Sequence, residues 1–159
     1  MPVVDRFFVD TNLLLYSVDR SEPVKRGQAR RWLSSLWGHA AGRLSWQVLH
    51  EFYFNAERKM GLDSASARRM VESLAQWKPV EAGLGLIQRG WHWSDCAQLS
   101  FWDSLIVAAA ERAGCACLLS EDFQDGRRFD TVTVVNPFTH DPGSLGLPSH
   151  RALPREEIS

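Results

Sequence analysis

"SFWDSLIVAAAERAGCACLLSED", Ser100 to Asp122, sets a helix directly before a strand. Ser100 and Asp103 stand three apart, the spacing of a capping box, and an acid in a first turn suits the helix dipole. The spacing predicts a helix from Ser100 to Gly114. "CACLLS" is then a short, almost wholly apolar strand, and "EDFQDGRRF" a loop. Apolar strands separated by helices imply a parallel sheet covered on both faces. Sites in such sheets lie at the carboxyl ends of the strands.

The same alternation extends toward both termini. "VDRFFVD", Val4 to Asp10, is a buried strand, with a helix starting near Asn12. A second helix opens at Ser21 or Glu22, tolerates Pro23 in its first turn and stops at Gly38. "RLSW" allows a brief strand. From Ser45 to Gly61, Val48, Leu49, Phe52 and Ala56 share one helical face. Asp63 to Trp77 is a further helix, capped by Asp63 or Ser64. "KPVEA" resembles a short strand, and the glycines of "EAGLGLIQRGWHWS" weaken its helical character. "TVTVVN" is the closing strand. After Asn136 come four prolines, two glycines and no period, which predicts an extended or disordered tail. No internal repeat is visible.

The totals set bounds. The chain has 159 residues, enough for one domain with a core and not comfortably two. An apolar fraction of 45% and a charged fraction of 23% are those of a globular protein. No apolar run approaches the roughly 20 residues of a membrane span, and the first run is cut at Asp10, unlike a signal peptide. The expected location is the cytoplasm, without membrane contact. Cys96, Cys115 and Cys117 form no disulfide framework, and Cys115-x-Cys117 lacks a second ligand pair; buried strand thiols are the expectation. A net charge of −1 decides nothing about nucleic acid. Lys25, Arg26, Arg30 and Arg31 cluster, as do Arg127 and Arg128. Each cluster is either a solvated face or a phosphate-contacting one.

Four acids stand at element ends or beside apolar stripes. Asp10 ends the first strand, where it either caps the next helix or holds a cation. Glu51 borders the apolar stripe of an aromatic-rich helix. Asp103 lies in the first turn of its helix, and Asp122 follows the "CACLLS" strand. Turn chemistry accounts for Asp122 and Asp125 individually, and Glu121 is a spare candidate. Taken together they can converge on one sheet edge. Carboxylates held close resist joint ionisation, and a hard divalent cation with oxygen ligands, Mg²⁺ or Mn²⁺, removes that conflict. Such ions activate water and stabilise charge on phosphate oxygens.

The combination of "FVDTNLLLY", "SWQVLHEFYFNA", "SFWDSLIVAAAERAGCACLLSEDFQDG" and "VTVVNPF" resembles the PIN-domain ribonucleases, and among them the VapC-type toxins of toxin–antitoxin pairs. The resemblance runs from Val3 to about Phe138. It implies a three-layer α/β/α fold with a mostly parallel central sheet, a domain over residues 1–138 and a tail over 139–159. It implies that Asp10, Glu51, Asp103 and Asp122 are catalytic and bind the metal. Thr11, Asn12, Ser120 and, optionally, Asp125 would support them. It further implies cleavage of RNA to 5′-phosphate and 3′-hydroxyl ends, a small antitoxin partner and a homodimer.

The seven tryptophans have two readings. They can stack on unpaired bases, yet Trp32, Trp46 and Trp102 fit helical core or interface positions. His50 and His92 lack a second histidine at ligand spacing. Two other functions compete. A haloacid-dehalogenase-like phosphatase needs a second Asp where Asn12 stands. A PIN fold that only binds RNA or protein would not require all four acids.

Overall fold

Residues 4–147 are described by the computed structural model. The apolar runs form strands β1 (Phe7–Val9), β2 (Gly42–Arg43), β3 (Cys117–Leu119), β4 (Arg128–Phe129) and β5 (Val132–Val135). They pair in the order β2-β1-β3-β5-β4. All pairings are parallel except β4 with β5. Helices α1 (Thr11–Tyr16), α2 (Pro23–Gly38), α3 (Trp46–Arg58), α4 (Ser64–Leu74), α5 (Leu84–Ala97) and α6 (Phe101–Arg112) complete the expected three-layer α/β/α architecture.

Register fixes where the chemistry sits. Phe7, Cys117 and Thr133 align across the sheet, and so do Val9, Leu119 and Val135. Asp10 N donates to Leu119 O at 3.1 Å, and Ser120 N donates to Val135 O at 3.1 Å. Asp10 and Ser120 therefore leave neighbouring strands side by side at the carboxyl edge. The central strands bury both faces, which explains why their sequences are apolar without alternation. Helix α6 is buried at every position from Ser104 to Ala110, so its sequence shows no amphipathic period.

Two glycines mark close approaches. A Cβ on Gly42 would meet the Trp77 ring at 2.5 Å, so the edge strand accepts only glycine against that indole. A Cβ on Gly90 would stand 3.0 Å from Leu105 Cδ2. The glycine that weakened the helical reading of α5 is what lets α5 lie close to α6. Arg89 anchors the same pair of helices, its Nε and Nη2 donating to Glu111 at 3.0 and 2.9 Å.

Other expectations needed correction. "KPVEA" contributes a single bridge, Ser45 to Val80, rather than a strand. The loop after β3 ends in β4, which folds back on β5 through a turn with Asp130 at φ 57°. The segment from Thr139 to Leu147 is not an extended or disordered tail. Trp32 Nε1 donates to Pro137 O at 2.8 Å and to His140 O at 3.0 Å. Gln28 Nε2 donates to both carbonyls and to Asp141. A 3₁₀ turn over Pro142–Leu145 then buries Leu147. Two side chains of α2 thus satisfy a backbone that has no ladder of its own. The remainder of the expected tail, 148–159, lies outside the described residues.

The expectation of buried strand thiols holds only in part: Cys115 is buried but precedes β3, Cys117 in β3 is half-buried, and Cys96 is exposed. Burial pushes Cys115 up to about 12 and Cys117 up to about 11, so neither is a nucleophile near neutrality. The tryptophans divide. Trp32 is fully buried and Trp46 half-buried, but Trp102 is 63% exposed and is no core residue.

Candidate active site

The carboxyl edge gathers side chains that lie far apart in sequence. Asp10 caps α1, its Oδ1 accepting from Thr11 N at 2.8 Å. Its Oδ2 accepts from the Ser120 hydroxyl at 2.7 Å. Thr11 faces the other way, its hydroxyl donating to Glu51 Oε2 at 2.7 Å. Asn12 Nδ2 donates to Asp122 Oδ2 at 3.1 Å and to Ser120 Oγ at 3.3 Å. Asp122 N donates to Ser120 Oγ at 3.1 Å. Ser120 and Thr11 are the hubs: Ser120 joins the ends of β1 and β3, and Thr11 joins β1 to α3. The alternative posed for Asp10 dissolves, because one carboxylate caps the helix and still presents itself at the sheet edge.

Glu51 reaches this edge because Ser45 starts α3 beside β2, its hydroxyl accepting from Val48 N. Gln47 steadies it one turn earlier, Nε2 donating to Glu51 Oε1 at 3.0 Å and to Trp102 O at 3.4 Å. Gln47 was not singled out from the sequence. Its signal was there: residues four apart on a helix are neighbours. Asp103 lies in the first turn of α6 with its N–H donating to Ser100 Oγ at 3.1 Å, so Ser100 caps the helix as the spacing predicts.

Electrostatics ties the acids together. Asp10 is 6% exposed, and burial raises its pKa from 3.8 to about 7. The Ser120 hydroxyl and Thr11 amide oppose that rise, while Asp122 and Glu51 add to it. Asp103 is also held above the usual carboxylate range, first by burial, then by Asp122 and Glu51. A carboxylate raised by its acidic neighbours accepts positive charge readily. The donors gathered at this edge are carboxylate and hydroxyl oxygens, the chemistry preferred by hard divalent cations. Asn12 Oδ1, buried and without a hydrogen-bond partner, adds an oxygen able to take a coordinated water. Among the described residues no three Asp, Glu, His or Cys side chains form a group placed to hold an ion by themselves. One or two carboxylates with the other positions left to water is the arrangement Mg²⁺ favours.

The remaining candidates are not brought here. Asp125 accepts from Asn136 N at 2.8 Å, and its Oδ2 lies 2.9 Å from His140 Nε2. It pins the turn after β5, and these contacts hold its carboxyl below the usual range. Glu121 binds Lys25, whose Nζ lies 2.9 Å from Oε2 and 3.3 Å from the Tyr16 hydroxyl. Other basic residues of the two clusters are also engaged. Arg30 Nε donates to Ser17 O at 3.0 Å, Arg31 pairs with Asp141 at 3.3 Å, and Arg127 Nη2 donates to Ala97 O at 2.8 Å. Arg26 is half-buried and Arg128 exposed.

Next to the acids opens a cavity of about 630 Å³ between α3, α5 and α6. Gln47 and Glu51 form its wall toward the acids; Trp46, Leu86, Phe101 and Trp102 form much of the rest. No helix among the described residues is long and apolar enough to cross a membrane.

Comparison with known proteins identifies the fold. The family model for the PIN domain matches residues 7–130. By fold the chain is similar to the crystal structure of Mycobacterium tuberculosis VapC20, titled a sarcin-ricin loop cleaving toxin. The TM-score is 0.56 at 20% identity, covering 73% of this chain and 91% of the other. No curated protein matches the chain by sequence.

Proposed function

The chain belongs to the PIN domain family, and from that membership we propose that it is a Mg²⁺- or Mn²⁺-dependent endoribonuclease. One observation carries the reading. A buried carboxylate at a strand end, Asp10, is clamped by two hydrogen bonds yet still raised to about 7 by burial and by Asp122 and Glu51. That arrangement is unfavourable for the chain alone and favourable once a cation shares the edge.

Asp10 and Asp103 would be the direct ligands, with Glu51 and Asp122 completing the charge. A divalent ion bound there supplies Lewis acidity toward a phosphate oxygen and lowers the pKa of water. The chain's own residues do the rest. Thr11 and Gln47 hold both oxygens of Glu51 from opposite sides, so its carboxylate is oriented rather than free to rotate. Ser120 fixes Asp10 Oδ2, and Asn12 fixes Asp122. These three acids are thus set by neutral donors, which preserves the negative field that a cation and a phosphodiester need between them. Products would carry 5′-phosphate and 3′-hydroxyl ends.

From the resemblance of its motifs to VapC-type toxins we further propose that the chain is the toxin of a cytoplasmic toxin–antitoxin pair and acts as a homodimer; VapC20, similar in fold, is itself titled a toxin. A basic side chain of a small antitoxin, inserted at this edge, would relieve the same repulsion that raises Asp10. The test is cleavage of a labelled RNA with and without Mg²⁺ or Mn²⁺, beside a calorimetric cation titration of wild type and Asp103→Ala. The nuclease reading expects metal-dependent cuts and cation binding that weakens in the variant. Cation binding unaffected by Asp103→Ala, with no cleavage, would instead describe a PIN fold that only binds RNA or protein.

A further inference from the structure

The cavity beside Glu51 has the wrong electrostatics for phosphate and the right surface for a base. Its lining includes no lysine or arginine, and Glu51 is its one carboxylate. An anion entering it would meet that charge without compensation. Its other walls are aromatic and aliphatic: Trp46, Leu86, Ile87, Phe101 and Trp102. About 630 Å³ lies within the range of small-ligand pockets and is ample for a nucleoside.

Trp102 is the unusual member. It is 63% exposed, although it directly precedes Asp103 in the first turn of α6. Its ring meets Phe101 edge-on, with centroids 5.5 Å apart and planes at 65°. Exposure alone would not mark it, but here the ring is continuous with the apolar lining formed by Trp46, Leu86 and Phe101. Gln47 ties the two places together, since its amide donates both to Glu51 Oε1 and to Trp102 O. The acidic edge and the aromatic cleft therefore share a wall, and a strand of RNA crossing the acids passes the mouth of the cleft.

We propose that the cleft between α3, α5 and α6 receives an unpaired nucleobase flanking the scissile phosphate, with Trp102 as its stacking platform. This rests on the nuclease reading and adds to it a base subsite beside the acids, built on Trp102. The division of labour is electrostatic: the phosphate goes to the cation at the carboxyl edge, and the neutral base to the adjoining apolar cleft. Stacking tolerates every base, so the site selects for an unpaired nucleotide before it selects for sequence. Gln47 and His50 are the polar groups at the cleft able to reach a base edge.

The test compares wild type, Trp102→Ala and Trp102→Phe on a short single-stranded oligoribonucleotide and on copies with one abasic ribose beside the cut. Cleavage and anisotropy-detected binding are both read, and circular dichroism checks the fold. Trp102→Ala should lower kcat/KM roughly tenfold, mostly through KM, with partial recovery in Trp102→Phe. On the abasic copy at the stacked position, wild type and Trp102→Ala should become equal. An equal loss on intact and abasic substrates would overturn the proposal. So would unchanged RNA binding together with an altered oligomeric state, which would assign the cleft to a protein interface. If wild type neither binds nor cuts RNA, the nuclease reading itself fails, a result distinct from either.

Discussion

The acidic edge and the basic clusters differ in how side chains come together. The acids sit one residue past β1, in the first turn of α6, in the second turn of α3 and three residues past β3, each place fixed by backbone register or a helix cap. Their hydrogen-bond partners are neutral groups, so the negative field survives. The basic residues sit on α2 and at the start of β4, and several have been spent on structure. Lys25 is neutralised by Glu121, Arg30 serves the Ser17 carbonyl, and Arg127 caps Ala97. Charge that is paired or buried in a carbonyl contact contributes little to steering a polyanion.

The sharpest way to break this contrast is activity. Asp10→Asn and Asp103→Asn are each expected to lower metal-dependent RNA cleavage more than about a hundredfold, beyond the 10–100-fold typical of outer-sphere changes. Lys25→Ala and Arg127→Ala should change it by no more than a few-fold. A steady-state assay on one RNA decides it. Comparable losses on both sides would mean the basic clusters touch substrate.

A second measurement uses stability without metal. Asp10 is raised from 3.8 to about 7, so the folded chain holds a proton that the unfolded chain has released. Between those two values stability falls as pH rises, and above about 7 the full penalty applies. The shift of about 3 units corresponds to about 4 kcal/mol. Asp10→Asn should therefore be the more stable protein at pH 8 in chelator, with the advantage gone near pH 4. Urea unfolding at the two pH values checks the sign. Added Mg²⁺ should stabilise wild type and not the variant.

The hydroxyl hubs come next in size. Ser120→Ala frees Asp10 Oδ2 and removes the contacts to Asn12 and the Asp122 amide. Thr11→Val frees Glu51 Oε2. Each should weaken activity about 10- to 100-fold with the acids intact. Higher Mg²⁺ should recover part of the Ser120→Ala loss if ligand placement is the cause.

What was legible follows the same division. The strand and helix order could be read because apolar runs, caps and stops are local: Ser45, Asp63 and Ser100 each accept a hydrogen bond from their own first turn. The four acids could be grouped as candidates because their separations resemble a family pattern. Partners in space left no local trace. Nothing near Asp125 in sequence announces His140, and nothing near Lys25 announces Glu121 or Tyr16. The folded segment after Asn136 was hidden for a related reason: its hydrogen bonds come from Trp32 and Gln28, more than a hundred residues upstream. The exposure of Trp102 was invisible because the same helical spacing describes a core position and a rim position.

The smallest effect belongs to Lys25, and it tests the basic face most directly. Its ammonium lies 2.9 Å from Glu121 Oε2 and 4.6 Å from the Tyr16 ring centroid, with side chains of Lys25 and Glu121 about a third exposed. The Glu121 and Tyr16 contacts hold its pKa above the ordinary value, which is the behaviour of a satisfied cation. A pair this open to solvent is worth under about 1 kcal/mol. Lys25→Met should keep the apolar stem over Tyr16 and Phe138 while deleting the charge, so thermal stability should fall by a degree or two at most. The decisive readout is the salt dependence of RNA binding. A phosphate-contacting lysine contributes nearly one unit to the slope of log K against log salt. Lys25→Met is expected to leave that slope unchanged, because Glu121 already neutralises the charge. A slope reduced by about one unit would show that RNA draws Lys25 away from Glu121, and the basic face would then join the acidic edge as part of the substrate path.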